Sequence, residues 1–323
     1  MRWHVDPWSP NYGSAFEAGP DSAAQSSATL DLRVEREPEA WQPISTPADV
    51  RAVDVVLLVD GVRRNDALLW TREDDGSSYA GLAASYAAGV VRCDLRAGAA
   101  GLAGARVGRG LFTASPSATA IRHGSVAYEL HRTQRADPAG LQAAVGGPLT
   151  QLEVSVAVAV REASDERDDL LVIDGPLLGR AHLPRAIGYV KTHHKQYLPP
   201  ELSTVVTALP PGHRTPVFRL GTNWHRHSWY LRLPAPPGAP WSGIVRLECS
   251  AELSPASAVG LADLASVTLP RFASSAYKDP RAPQNLIPVG GLEKRLRAML
   301  GDARLLHRAL MAGSGTPAVT VSG

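Results

Sequence analysis

A chain of 323 residues, 44% apolar and 20% charged with a formal net charge of +2, has enough apolar mass for one large or two modest globular domains. Two cysteines, Cys93 and Cys249, with no CxxC pair, argue against a disulfide framework or a cysteine-rich metal site and point to a reducing cytoplasm. Acidic residues and prolines interrupt the first segment, and no later run approaches eighteen apolar residues, so neither secretion nor a membrane span is expected.

Residues 1–50 are rich in Pro, Ser, Ala and Glu and read as an extended or partly helical lead-in. The apolar, β-branched run from Val53 to Asp60 reads as a buried strand, and segments 87–97 and 124–132 as further strands. The segment "LEVSVAVAV" fits a period-two strand. Leu149, Glu153, Val156, Val160 and Ala163 nevertheless recur at helical spacing, which predicts a helix with Glu153 on its apolar face. A polar stretch then leads to the strand "LLVIDG", followed by "IGYVK" and a proline-interrupted loop at 209–216. The segments "SWYLRLP" and "GIVRLECSAEL" read as a hairpin with a long loop. Leu292, Leu296, Met299 and Leu300 predict one amphipathic C-terminal helix, and residues 312–323 a flexible tail. The order implies a mixed α/β fold with one central sheet flanked by helices. A C-terminal hairpin and helix are added to it, with a single domain over 51–311.

Asp60-Gly61 and Asp174-Gly175 each close an apolar run. A carboxylate at the end of a buried strand is costly unless hydrogen-bonded, paired or holding a cation. One Asp-Gly alone is an ordinary turn signal. Two suggest a shared site for Mg²⁺ or Mn²⁺, which favour carboxylate oxygen and water. Two such ions about 3.5–4 Å apart can stabilise the attacking and leaving oxygens of a phosphodiester. The third carboxylate is Glu153 or, on a strand, Glu129, with Glu153 favoured by its place on the helix. The glycines would let the chain turn and a phosphate approach.

Basic clusters offer phosphate contacts at Arg63 and Arg64 in "VRRND", His194 in "KTHHK" and Arg226 in "NWHRHSW", although such clusters are also ordinary solvated surface. His193, His194, His225 and His227 lack the helical pairing and cysteine partners of a zinc site. Trp224, Trp229 and Tyr230 suit either base stacking or a core. Neither a Walker motif nor a G-x-S-x-G elbow is present, which leaves ATP binding and serine hydrolase chemistry without support.

The succession "LLVDG", a glutamate-bearing helix, "LLVIDGPLLG", "IGYVK" and the later "WYLRLPAPP…GIVRLECS" resembles the NurA family of DNA end-processing nucleases over roughly residues 53–300. The resemblance implies an RNase H-like sheet and Mn²⁺- or Mg²⁺-dependent hydrolysis of DNA, as a 5′ to 3′ exonuclease and single-strand endonuclease. It also implies a HerA-type hexameric ATPase as partner and a homodimer. By motif, Asp60, Glu153 and Asp174 take the acidic positions, and Lys191 the lysine that meets phosphate. The family's C-terminal tyrosine and histidine fall on Ala282 and Gly291, so either a group from the same region, Asp279, Glu293 or Tyr277, serves instead, with Asp279 a candidate ligand, or the fourth functional group is lacking. The alternative is a non-catalytic subunit that binds DNA or the ATPase.

Overall fold

The computed structural model describes Trp8, Phe16 and residues 28–165, 168–235 and 238–314. The rest of the expected lead-in and the tail from residue 315 lie outside the described residues. In chain order the elements are β1 (Thr29–Asp31), β2 (Val55–Arg72), β3 (Ser78–Asp94), β4 (Ala99–Thr113), β5 (Ile121–His123) and β6 (Val126–Arg132), then helices α1 (Pro138–Ala144) and α2 (Gly146–Glu162). There follow β7 (Leu170–Asp174), β8 (Ala186–Val190), α3 (Pro200–Thr207), β9 (Phe218–Gly221), β10 (His225–Arg232), β11 (Ile244–Ser250), α4 (Pro255–Thr268), α5 (Ile287–Met299) and α6 (Ala303–Ser314). The protein is mixed α/β with a large mixed sheet.

The chain clusters into two compact units. The first holds the described residues up to Val59, Val91–Gly101 and Ser164–Gly291; the second holds Asp60–Val90, Leu102–Ala163 and the residues from Leu292. The division falls inside continuous elements, within β2 after Val59 and within α5 after Gly291.

In the first unit the strands run in the order β1-β9-β10-β11-β8-β7-β2. β2 pairs parallel with β7, and β7 parallel with β8. From β8 outward to β1 the pairings are antiparallel. The parallel strands are apolar throughout because residues Val55–Val59, Leu170–Ile173 and Ala186–Tyr189 are buried. The hairpin of β10 and β11 forms as expected, with Trp229 opposite Leu247. Trp41, Leu202, Val206, Phe218 and Tyr230 pack into one core of this unit.

Arg214 stitches the segment before β2 to that core. Its guanidinium donates to both carboxylate oxygens of Glu35, each at 2.8 Å, and to Asp263 on α4 at 2.7 and 2.8 Å, while Glu35 also accepts from Val217 N–H. α4 starts at a Ser254 cap, which accepts from Ser257 N–H at 3.1 Å, with Pro255 at the first helical position.

In the second unit the order is β2-β3-β4-β6-β5. Asp137 caps α1, and Leu141 and Val145 with Leu149 of α2 pack on Leu82, Tyr86 and Phe112. Leu310 of α6 closes a second cluster with Ala83, Leu111 and Tyr128. The helix over 149–163 is present as α2, with Glu153, Val156 and Ala157 buried.

Three features differ from the sequence reading. β2 does not stop at Asp60 but continues to Arg72. The single C-terminal helix is two, α5 and α6, interrupted at Gly301, whose φ of +83° a helix cannot continue. The helical stretch Pro138–Glu162 is long and apolar enough by length and composition to cross a membrane, because alanine and valine lie between its core-facing positions.

Removing Arg214 leaves two carboxylates of the Glu35–Asp263 network without their shared cation. Arg214→Ala is therefore expected to lower unfolding stability by about 3–5 kcal/mol in urea titration, as for other broken buried ion pairs. A loss under about 1 kcal/mol, the range of exposed pairs, would show that the network is dispensable.

Candidate metal centre

The centre follows from strand register. Val56 to Val59 of β2 lie opposite Leu170 to Ile173 of β7, so the next residues, Asp60 and Asp174, leave adjacent parallel strands at the same level. β7 ends there. Gly175 turns the chain at φ +104° and exchanges backbone hydrogen bonds of 2.8 and 3.0 Å with Tyr189 of β8. At Asp60 the chain runs straight on, and Gly61 serves another purpose: a Cβ there would lie 2.4 Å from Glu153 Oε1 and 2.8 Å from Leu149. The glycine makes room for α2 rather than for a turn. Asp60 is buried, and its Oδ1 accepts from Gly61 N–H at 2.7 Å.

One carboxylate oxygen each from Asp60, Asp174 and Glu293 lies within 4.8 Å of the others, and this group could hold a metal ion. Two unit charges about 5 Å apart repel by about 3 kcal/mol at an effective dielectric of about 20, so such a trio gains from a shared cation. The all-oxygen donor set suits Mg²⁺ or Mn²⁺ rather than a thiophilic metal. Glu293 rides on α5 on the flank of its buried stripe of Val289, Leu292 and Leu296.

Lys191, one residue past β8, donates from Nζ to Asp174 Oδ2 at 2.6 Å and to Asn285 Oδ1 at 2.9 Å. Asn285 Nδ2 in turn donates to Asp279 Oδ2 at 2.6 Å. Beside them the Tyr189 hydroxyl donates to the Gln284 carbonyl at 2.6 Å. Burial, and secondarily Asp174, pushes that phenol's pKa up and keeps it a neutral donor.

Among the acidic residues singled out in the sequence, Asp60 and Asp174 are therefore together. Glu153 stands one residue away against Gly61, outside the group of three. Asp279 is likewise outside it, accepting from Asn285 and from Arg281 N–H. Glu129 lies on β6 and pairs with Arg122 on the surface at 2.6 Å. Tyr277 is exposed. Glu293 is the third member; its signal in the sequence was a carboxylate beside an apolar helical stripe.

The expected nucleic-acid contacts separate. Arg63 and His194 are exposed, and Arg63 donates to the Gln142 carbonyl at 3.1 Å. Arg64 is half-buried, tied to Asp66 at 2.9 Å and to the Gly301 carbonyl at 2.8 Å. Arg226 is buried against Glu248 at 3.0 Å, with Arg246 on the same carboxylate at 2.7 Å. Trp229 and Tyr230 are core residues, and Trp224 stacks under Arg226. His227 is buried, and His193 is wedged beside Trp241 and Tyr230 with Nε2 3.2 Å from the Ile244 carbonyl.

No protein-family model and no curated protein matches this chain.

Two predictions test this geometry. Gly61→Ala forces Glu153 and Leu149 aside and is expected to cost about 1–3 kcal/mol of stability, the range for overpacked cores; an unchanged denaturation midpoint would mean that α2 yields freely. Burial, opposed by the Ile244 carbonyl, pulls the His193 pKa from 6.5 to about 4. The folded protein then keeps His193 neutral while the unfolded chain protonates it. Its contribution is whole above pH 6.5 and shrinks as pH falls toward 4, by up to about 1.4 kcal/mol per pH unit. Urea titrations at pH 7 and pH 5 should show a steeper loss in the parent than in His193→Gln, and equal slopes would refute the assignment.

Proposed function

We propose that the protein is a metal-dependent DNA nuclease with an RNase H-like core, using Asp60, Asp174 and Glu293 to hold Mn²⁺ or Mg²⁺. The observation that carries this reading is the meeting of these three carboxylates at the level where β7 ends. The strand order β4-β3-β2-β7-β8, with β2, β7 and β8 parallel, supports the finer fold assignment. When bound, the ion would lower the pKa of an attacking water and neutralise charge gathering on the phosphate.

The chain's own residues do the rest. Asp60 and Asp174 offer oxygens from two strands whose pairing fixes their separation, so little reorganisation is needed at binding. Lys191 brings a positive charge beside Asp174, where a phosphate held by the cation would be stabilised. Glu153, against Gly61, adds negative potential near Asp60. Arg63 and His194 are the exposed members of the basic set and would meet the DNA backbone. A HerA-type ATPase and a second copy of the chain are the partners this reading carries with it, in the cytoplasm.

The test is cleavage of end-labelled single- and double-stranded DNA with Mn²⁺, Mg²⁺ or EDTA. Cleavage should require metal and fall by about 100-fold or more in Asp60→Asn, Asp174→Asn and Glu293→Gln, as when other preorganised charge partners are removed. Glu153→Gln should cost less, about tenfold. A larger loss in Glu153→Gln than in Glu293→Gln would exchange their roles. DNA binding without cleavage, even with the ATPase present, would favour the non-catalytic subunit.

A further inference from the structure

A chain of side-chain contacts leads away from the three carboxylates, starting at one of them: Asp174–Lys191–Asn285–Asp279, with successive contacts of 2.6, 2.9 and 2.6 Å. All four residues belong to the first unit. Asn285 is fully buried and Lys191 nearly so. The amide is oriented at both ends: its oxygen faces the ammonium, and its NH₂ is claimed by Asp279. Asp279 is fixed in turn by Arg281 N–H at 2.8 Å. A buried asparagine held this way presents a carbonyl of fixed direction to Lys191.

We infer that Asn285, oriented by Asp279, is a positioning residue that parks the Lys191 ammonium beside Asp174 when a divalent cation takes that carboxylate. The inference rests on the reading above only in treating Asp174 as a cation ligand. A cation and the ammonium compete for Asp174. With Asn285 present, Lys191 loses one acceptor and keeps another, so it stays within reach of a phosphate. Without Asn285 the ammonium depends on Asp174, and displacing it costs the incoming cation more. Asp279 is thereby an orienting group for the amide rather than a ligand.

The competition gives effects of opposite sign, which a merely structural role would not. Mn²⁺ binding to the full chain without DNA is measured by calorimetry. Asn285→Leu should weaken it by about tenfold, the range for second partners of metal ligands. Lys191→Met should tighten it, because the competitor is gone. In the Lys191→Met background Asn285→Leu should have little effect, and the two changes are non-additive. Asp279→Asn keeps one oxygen that can accept from the Asn285 amide but gives up either that bond or the one from Arg281 N–H, so it should weaken binding by less than Asn285→Leu does. Thermal unfolding accompanies each variant, and Asn285→Ser substitutes for Asn285→Leu if the latter does not fold.

Additive losses in the two backgrounds, or an Asn285→Leu that binds Mn²⁺ like the parent, overturn the inference. A parent that binds no Mn²⁺ overturns it together with the metal reading. The expected cycle without DNA cleavage leaves the positioning role standing and removes the nuclease reading. Metal-dependent cleavage with an additive cycle does the reverse.

Discussion

The parallel pairing of β2 with β7 is the constraint from which the candidate centre follows. Asp60 and Asp174 are each the residue after a fully buried strand segment, and the register Val59↔Ile173 sets them level. A slip by one residue would send alternate side chains to the opposite face and separate the two carboxylates. Burial resists that slip: Val56, Leu58, Val59, Leu170, Leu171 and Ile173 are essentially inaccessible. Each large aliphatic side chain taken from water contributes about 1.5–3 kcal/mol. A hydrophobic requirement thus fixes a polar geometry.

Buried carboxylates elsewhere in the protein are handled differently, and the contrast bears on the centre. Glu248 is gripped by Arg246 and Arg226, and by Leu177 N–H at 2.6 Å. Glu35 and Asp263 share Arg214, and Asp66 takes Arg64, Ser85 and Tyr128. A guanidinium is planar, carries its donors in a fixed fork and stays charged, so these sites are closed structural networks. At Asp174 the partner is an ammonium, a compact charge on a flexible stem that is already divided between two acceptors. That partner holds Asp174 through one 2.6 Å contact rather than through a guanidinium fork.

Much of this was legible because the signals were local. The helix bearing Glu153, the strand ending at Asp174 and the β10–β11 hairpin all follow from periodicity and turn chemistry. β4 was hidden because "AAGLAGARVGRGLFT" replaces β-branched residues with glycine and alanine, and its place between β3 and β6 comes from pairing rather than propensity. α4 carries apolar residues nearly all round, with Ala258, Ala262 and Ala265 buried, so no stripe marks it. Asp-Gly at 60–61 resembled a turn, but the glycine answers to a tertiary neighbour on α2 that no local window contains. The basic and aromatic cluster at 224–230 resembled a nucleic-acid surface, yet Arg226, Trp229 and Tyr230 serve the interior.

Helix geometry decides which position of α5 can join the two strand aspartates. Gly291 is exposed, and a Cβ there would meet nothing within 4 Å. A functional group at 291 would start from the solvent side of α5. Two residues on, the helix has turned through about 200°, since each residue advances about 100°. That rotation brings position 293 to the flank of the buried stripe, four residues after Val289 and three before Leu296. A carboxylate there reaches the two strand aspartates. Linear spacing reads positions, whereas a helix presents directions, so a side chain two residues from Gly291 meets a different neighbourhood.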